Sequence, residues 1–256
     1  MNVRGVGIVT QWGRGLGAVR NDLAAGGPAV VTLTPRPRTG DRLRRATREC
    51  LLGVEAVEAM LEESGVERAE LAGEATALVY VTAAAYGASN RAFVEGGGGA
   101  LHFPYTAPSA VPAEVAIEFG LCGPYAVLIG GAAATIDALV HARALLARGA
   151  CKRAVVLAVE TFTECQSLHE RGGTAGAVPL VEAAVAALLE PGGSDAGSGR
   201  LQPRVLEGSF ACAPLIALAR AAAGGPGPVT VGGRWRGREA SVTLGVAEPG
   251  RGVKES

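Results

Sequence analysis

The sequence predicts an α/β protein with a mostly parallel sheet, and three observations carry that reading. Continuous apolar runs such as "ATALVYVT" (75–82) and "AVVLAV" (154–159) have the length and composition of strands buried on both faces. Segments with helical apolar spacing lie between them, the pattern of strand–helix–strand units. The stretch "AVLIGGAAATIDALVHARALLARG" (126–149) joins both kinds, as four strand residues, a Gly130-Gly131 turn and a helix.

The elements follow in order. Val3–Val9 predicts a short strand running into a glycine-rich turn. Leu43, Thr47, Cys50, Leu51, Val54, Val57 and Leu61 keep three-to-four spacing, so 41–64 predicts an amphipathic helix ended near Gly65. A small-residue loop follows the 75–82 strand, and "EGGGGALHFPYTAPSA" (95–110) is too punctuated by glycine and proline for regular structure. Val111–Phe119 predicts a helix. "VEAAVAALLE" (181–190) fits strand or helix on pattern alone, and "PGGSDAGSGR" (191–200) predicts a flexible connection. Ser209–Ala223 predicts a helix, and "PVTV" and "EASVTLG" a hairpin around "GGRWRGR". The residues from Glu248 onward predict a frayed tail.

Composition narrows the function. The 256 residues are 48% hydrophobic, enough to bury a full core, and 24 Lys and Arg balance 24 Asp and Glu. That balance argues against nucleic acid or an anionic membrane as the main partner. Arg36, Arg38, Arg42, Arg44, Arg45 and Arg48 form a local basic cluster, expected as a solvated face. Five cysteines without C-x-x-C spacing fit a reducing, cytoplasmic compartment, with most thiols serving as small core residues. No apolar stretch is long enough to span a bilayer.

Candidate sites are few. "GRGLGA" (13–18) fits a G-x-G-x-x-A dinucleotide fingerprint, but its following helix is short and no acid closes a second strand, so a structural turn is expected. Cys165 and His169 are four apart, with Glu164 and Glu170 beside them; a thiolate–imidazole pair or metal half-site needs further ligands that the sequence does not supply. His141 lies mid-helix and His102 in the irregular loop. No serine has G-x-S-x-G flanks. No metal or cofactor is expected.

Several segments together resemble the β-ketoacyl synthases, the condensing enzymes of fatty-acid and polyketide assembly. "VAIEFGLCGP" (115–124), inside "PYTAPSAVPAEVAIEFGLCGPYAVLIGGAAATIDAL" (104–139), is the specific part and is similar to the helix before the family's nucleophile. "VGIVTQWGRGLGAVRNDLAAG" (6–26), "AVVLAVETF" (154–162) and "VEAAVAALLE" follow in family order, which makes 181–190 a strand with Glu182 on a family glutamate. The resemblance implies a thiolase-like N-terminal half over 1–190, with a mixed five-stranded sheet between helices. It also implies a connection over 191–205, a reduced C-terminal half of helix plus hairpin over 206–247, and a disordered tail over 248–256.

The departures carry the functional expectation. Counted on from Gly123-Pro124, the family's cysteine position falls on Ala132, which has no nucleophile to offer. The second half, which carries the family's two histidines, is nearly absent. The sequence therefore resembles the short, non-catalytic chain length factors of type II polyketide synthases, including those beside synthases of polyene pigments. Asp137-Ala138-Leu139 is similar to part of their "GLDAL" helix. That implies a heterodimer with a cysteine-bearing ketosynthase, and an acyl carrier protein as a further partner. The dimer-edge strand would be Tyr125, Ala126, Val127, Leu128 and Ile129. The segment Leu101, His102, Phe103 and Pro104 would reach the partner's acyl tunnel. The competing expectations are an acyl hydrolase or transferase using Cys165-His169 or Cys122, and a homodimeric carrier-binding scaffold. An edge strand this apolar demands a cover in every case.

Overall fold

The computed structural model describes residues 1–20, 29–38, 42–44, 46–96, 99–100, 102–163, 166, 179–192, 200–202 and 206–246. In chain order the first elements are β1 (Asn2–Thr10), β2 (Gly13–Arg14), β3 (Val30–Val31), α1 (Arg48–Ser64) and α2 (Arg68–Leu71). Next come β4 (Thr76–Thr82), α3 (Gly87–Val94), α4 (Ala110–Phe119), β5 (Tyr125–Ile129), α5 (Ala132–Ala147) and β6 (Arg153–Glu160). β7 (Leu180–Val181), β8 (Ala183–Glu190), β9 (Arg200–Leu201), α6 (Ala213–Ala223), β10 (Gly227–Trp235) and β11 (Arg238–Val246) complete the chain.

The main sheet runs β5-β4-β6-β8-β1-β11-β10-β9, with β2 folded back on β1. β5, β4 and β6 are parallel, and β8 is antiparallel to both of its neighbours, so the expected five-stranded mixed sheet is present as β5-β4-β6-β8-β1. Hydrogen bonding does not stop at β1. Asn2 and Val3 pair in parallel with Gly245 and Val246, and the C-terminal hairpin extends the sheet.

Helices cover both faces. Leu78, Tyr80, Val155 and Leu157 meet α1 and α4 on one side. Val79, Val81, Val156 and Ala158 meet α5 and α6 on the other. Alternate residues of each central strand thus enter opposite cores, which is why these strands read as unbroken apolar runs. β1 and α1 touch so closely that a side chain at Gly7 would overlap the backbone of Met60.

Several expectations need correction. The first long helix starts at Arg48, not near 41; residues 42–44 turn instead, and Ala46 N–H donates to the Leu43 carbonyl. The basic cluster is a solvated face only in part: Arg36, Arg42 and Arg44 are exposed, with Arg42 paired to Glu114, whereas part-buried Arg38 pairs with Glu58 and part-buried Arg48 with Glu182. α3 forms where a loop was expected, and none of its residues is buried, so no apolar periodicity announced it. The stretch "GGRWRGR" is mostly strand, with only Arg236-Gly237 as its loop. Their φ angles of 48° and 82° place both residues in the left-handed region that a tight hairpin turn needs. "GRGLGA" turns back on β1 as β2 and a three-residue 3₁₀ turn, the structural turn expected of it. Most of the 191–205 connection and the 248–256 tail lie outside the described residues.

Candidate functional site

β5 ends at Ile129, Gly130 turns the chain, and Gly131 caps α5, whose first residue is Ala132. Within the first turn, Ala134 N–H donates to the Gly131 carbonyl at 2.9 Å. The amides of Ala132 and Ala133 have no acceptor inside the helix, the usual condition of a helix head. Ala132 itself is half-buried, and its methyl group cannot attack a carbonyl carbon.

Parts of the chain far apart in sequence converge on this head. The Thr135 hydroxyl donates to the Ala211 carbonyl at 2.7 Å. That bond fixes the loop holding Phe210, whose φ of 45° and ψ of −103° lie outside the regions a bulky residue prefers. Phe210 packs against Trp235 at a tilt, 4.6 Å between ring centroids, and fully buried Phe162 meets Phe210 edge-on at 4.9 Å. Trp235 comes from the end of β10 and lies directly against Gly131, where an added methyl group would overlap the six-membered ring of the indole. The residue was not singled out in the sequence; its only signal was a tryptophan at a hairpin tip.

Two fully buried carboxylates brace the surroundings, with opposite electrostatics. Glu160 accepts from the amides of Ala83 at 2.8 Å, Ala84 at 3.0 Å and Ala211 at 3.2 Å, and from the Thr82 hydroxyl at 3.2 Å. Burial dominates these bonds and pushes its pKa up to about 8. Burial also opposes ionisation of Glu182, but the Arg48 guanidinium and the amides of Leu33 and Thr163 outweigh it. The Glu182 pKa lies below the ordinary carboxylate value. Glu182 also accepts from Phe162 N–H at 2.7 Å, so it anchors the aromatic stack from behind.

The predicted residues fall into distinct places. Tyr125 and Ile129 are 49% and 53% exposed, while Ala126, Val127 and Leu128 are half-buried. Among the described residues, β5 pairs with β4 alone and its outer edge carries no strand. His102, Phe103 and Pro104 are exposed, with the Phe103 ring tilted against that of Phe93 at 5.7 Å between centroids; Leu101 lies outside the described residues. Among the described residues, the exposed large apolar side chains (Phe93, Val94, Phe103, Ile117, Tyr125, Ile129 and Val140) all come from residues 93–140, the stretch that contains β5.

Cys165, His169, Glu164 and Glu170 lie outside the described residues. His141 is exposed on α5 and Cys122 is an exposed free thiol. Burial raises the pKa of Cys50 to about 12 and also lifts those of Cys151 and Cys212. Among the described residues no three His, Cys, Asp or Glu side chains gather into a metal-binding group, and no helix is long and apolar enough to cross a membrane.

The layered arrangement is a thiolase-like ketosynthase fold. A chain of the ishigamide ketosynthase/chain length factor superposes with a TM-score of 0.69 at 16% identity, over 94% of this chain and 98% of that one. The AntDE:AntF structure, a type II PKS acyl-carrier protein in complex with its ketosynthase bound to the hexaketide, gives 0.60 at 18% identity, over 74% of this chain and 62% of that one. A β-ketoacyl synthase from Burkholderia phymatum gives 0.55 at 17% identity, over 74% and 59%. No curated sequence matches. The family model described as β-ketoacyl synthase, N-terminal domain, matches residues 37–175, more than half of the sequence; the chain belongs to the β-ketoacyl synthase family.

Proposed function

We propose that this chain is a non-catalytic, chain-length-factor-like subunit of a heterodimeric type II polyketide ketosynthase of the polyene type. The observation that carries the proposal is the pairing of an alanine at the head of α5 with an open, apolar β5 edge one turn away. The first removes the nucleophile and the second offers a dimer surface. The ketosynthase/chain length factor neighbour supports it, because there the likeness extends over almost the whole of a chain of similar length. In this reading β5 adds to the edge strand of a cysteine-bearing partner, and Leu101, His102, Phe103 and Pro104 reach its acyl tunnel. Acyl carrier protein delivers substrate to the pair, in the cytoplasm.

Reconstitution tests this. The partner ketosynthase is assayed for condensation with acyl carrier protein, with and without this chain. The expected result is product only with both, and none from this chain alone, even with Ala132→Cys. Condensation by this chain alone would overturn the proposal. An independent acyl hydrolase would show itself as thioester hydrolysis that is lost with Cys122→Ser or Cys165→Ser.

A further inference from the structure

We propose that Trp235 is a steric wedge that closes the head of α5 to acyl groups, so that this chain excludes them by shape as well as by lacking a thiol at position 132. The inference rests on reading Ala132 as the vacated nucleophile position, but its physical basis is separate from any partner.

The contact is between a ring and bare backbone. The indole occupies the space a side chain at Gly131 would need, and β10 repeats the arrangement two residues earlier, where a side chain at Gly233 would overlap the Ala132 carbonyl. Two close approaches, each requiring glycine, seat the hairpin tip on the helix head. An acyl group directed at the first amides of α5 meets the aromatic ring and the β10 backbone instead.

The tip is also held in place. Phe210 packs on the indole from one side and rests in turn on Phe162. On the outer side the Arg236 guanidinium lies 5.6 Å from the indole centroid. Arg238, which pairs with Trp235 across the hairpin, donates both terminal nitrogens to the two carboxylate oxygens of Asp137 in α5. Trp235 is therefore held by its own hairpin, by α5 and by the Phe210 loop.

The test installs Ala132→Cys as a reporter in the full chain, with Cys122→Ser to silence the exposed thiol. N-ethylmaleimide and the octanoyl thioester of N-acetylcysteamine are the probes, and site-resolved mass spectrometry reads residue 132. In the thioester reaction the introduced sulfur at position 132 replaces N-acetylcysteamine on the acyl carbon, and the displaced thiol takes the proton. Modification should be slow with Trp235 in place and rise at least about tenfold in Trp235→Ala, with a smaller rise in Trp235→Phe. Equal rates with and without the indole would overturn the wedge. Asp137→Asn frees the tip while leaving the aromatic stack intact, so it covers the case in which Trp235→Ala does not fold. It should raise the rate about threefold, and no rise would count against the proposal. The assay reads this chain's own residue without a partner, so failure of the wedge and failure of the heterodimer are told apart.

Discussion

The two edges of the main sheet differ sharply. The β9 edge is two residues long, at the end of a sheet continued past β1 by the C-terminal hairpin. The β5 edge is five residues long and carries exposed Tyr125 and Ile129 at its two ends. Folded proteins blunt edges that must stay single, by shortening, charging or covering them. Among the described residues, one edge is short and the other carries no further strand and exposes two large apolar side chains. The helix head between them repeats the contrast, because the hairpin covers it from the chain's own side while β5 leads outward.

The sharpest way to disturb the closed side is from beneath. Glu182→Ala would take from Arg48 its carboxylate partner and from the amides of Leu33, Phe162 and Thr163 their acceptor. Loss of one partner from such a buried pair costs about 3–5 kcal/mol, readable as a lower midpoint in chemical denaturation. The open edge should break independently. Tyr125→Asp with Ile129→Asp places charge on the exposed face of β5, and partner affinity should fall roughly a hundredfold while the circular dichroism spectrum is unchanged.

These contrasts were unequally legible in the sequence. β4, β6 and β5 could be read because each is a run of apolar residues whose neighbours in the sheet are equally apolar. The "VAIEFGLCGP" helix and the Gly130-Gly131 turn located the helix head and Ala132. The occupant of that head was hidden, since Trp235 lies far along the chain and its role depends on Gly131 and Gly233 having no side chains. The conformation of Phe210 was equally invisible, being imposed by Thr135 and Glu160 through Ala211. α3 escaped because a helix with no buried residue leaves no apolar stripe. Arg48 looked like one of a solvated series because its partner, Glu182, is distant in sequence and near only in space.

The two buried carboxylates predict opposite pH behaviour. With its folded pKa raised to about 8, Glu160 contributes stability that is fully present below the ordinary carboxylate range and is lost as pH rises toward 8. Glu182 has a lowered pKa, so its contribution is present above that range and is lost as pH falls below it through the lower folded pKa. Denaturant midpoints measured from about pH 2 to 9 should show the alkaline decline flattened in Glu160→Gln and the acid decline, below the ordinary carboxylate range, flattened in Glu182→Gln. The smallest effect belongs to exposed Phe103. Phe103→Ala should leave the melting temperature unchanged and shift the product-length distribution of the reconstituted pair.

The most direct measurement is native mass spectrometry of the tagged chain purified from its own host. The account predicts a one-to-one complex with a larger, cysteine-bearing ketosynthase, dissociated by Tyr125→Asp with Ile129→Asp. A homodimer or a lone monomer under the same conditions would contradict it.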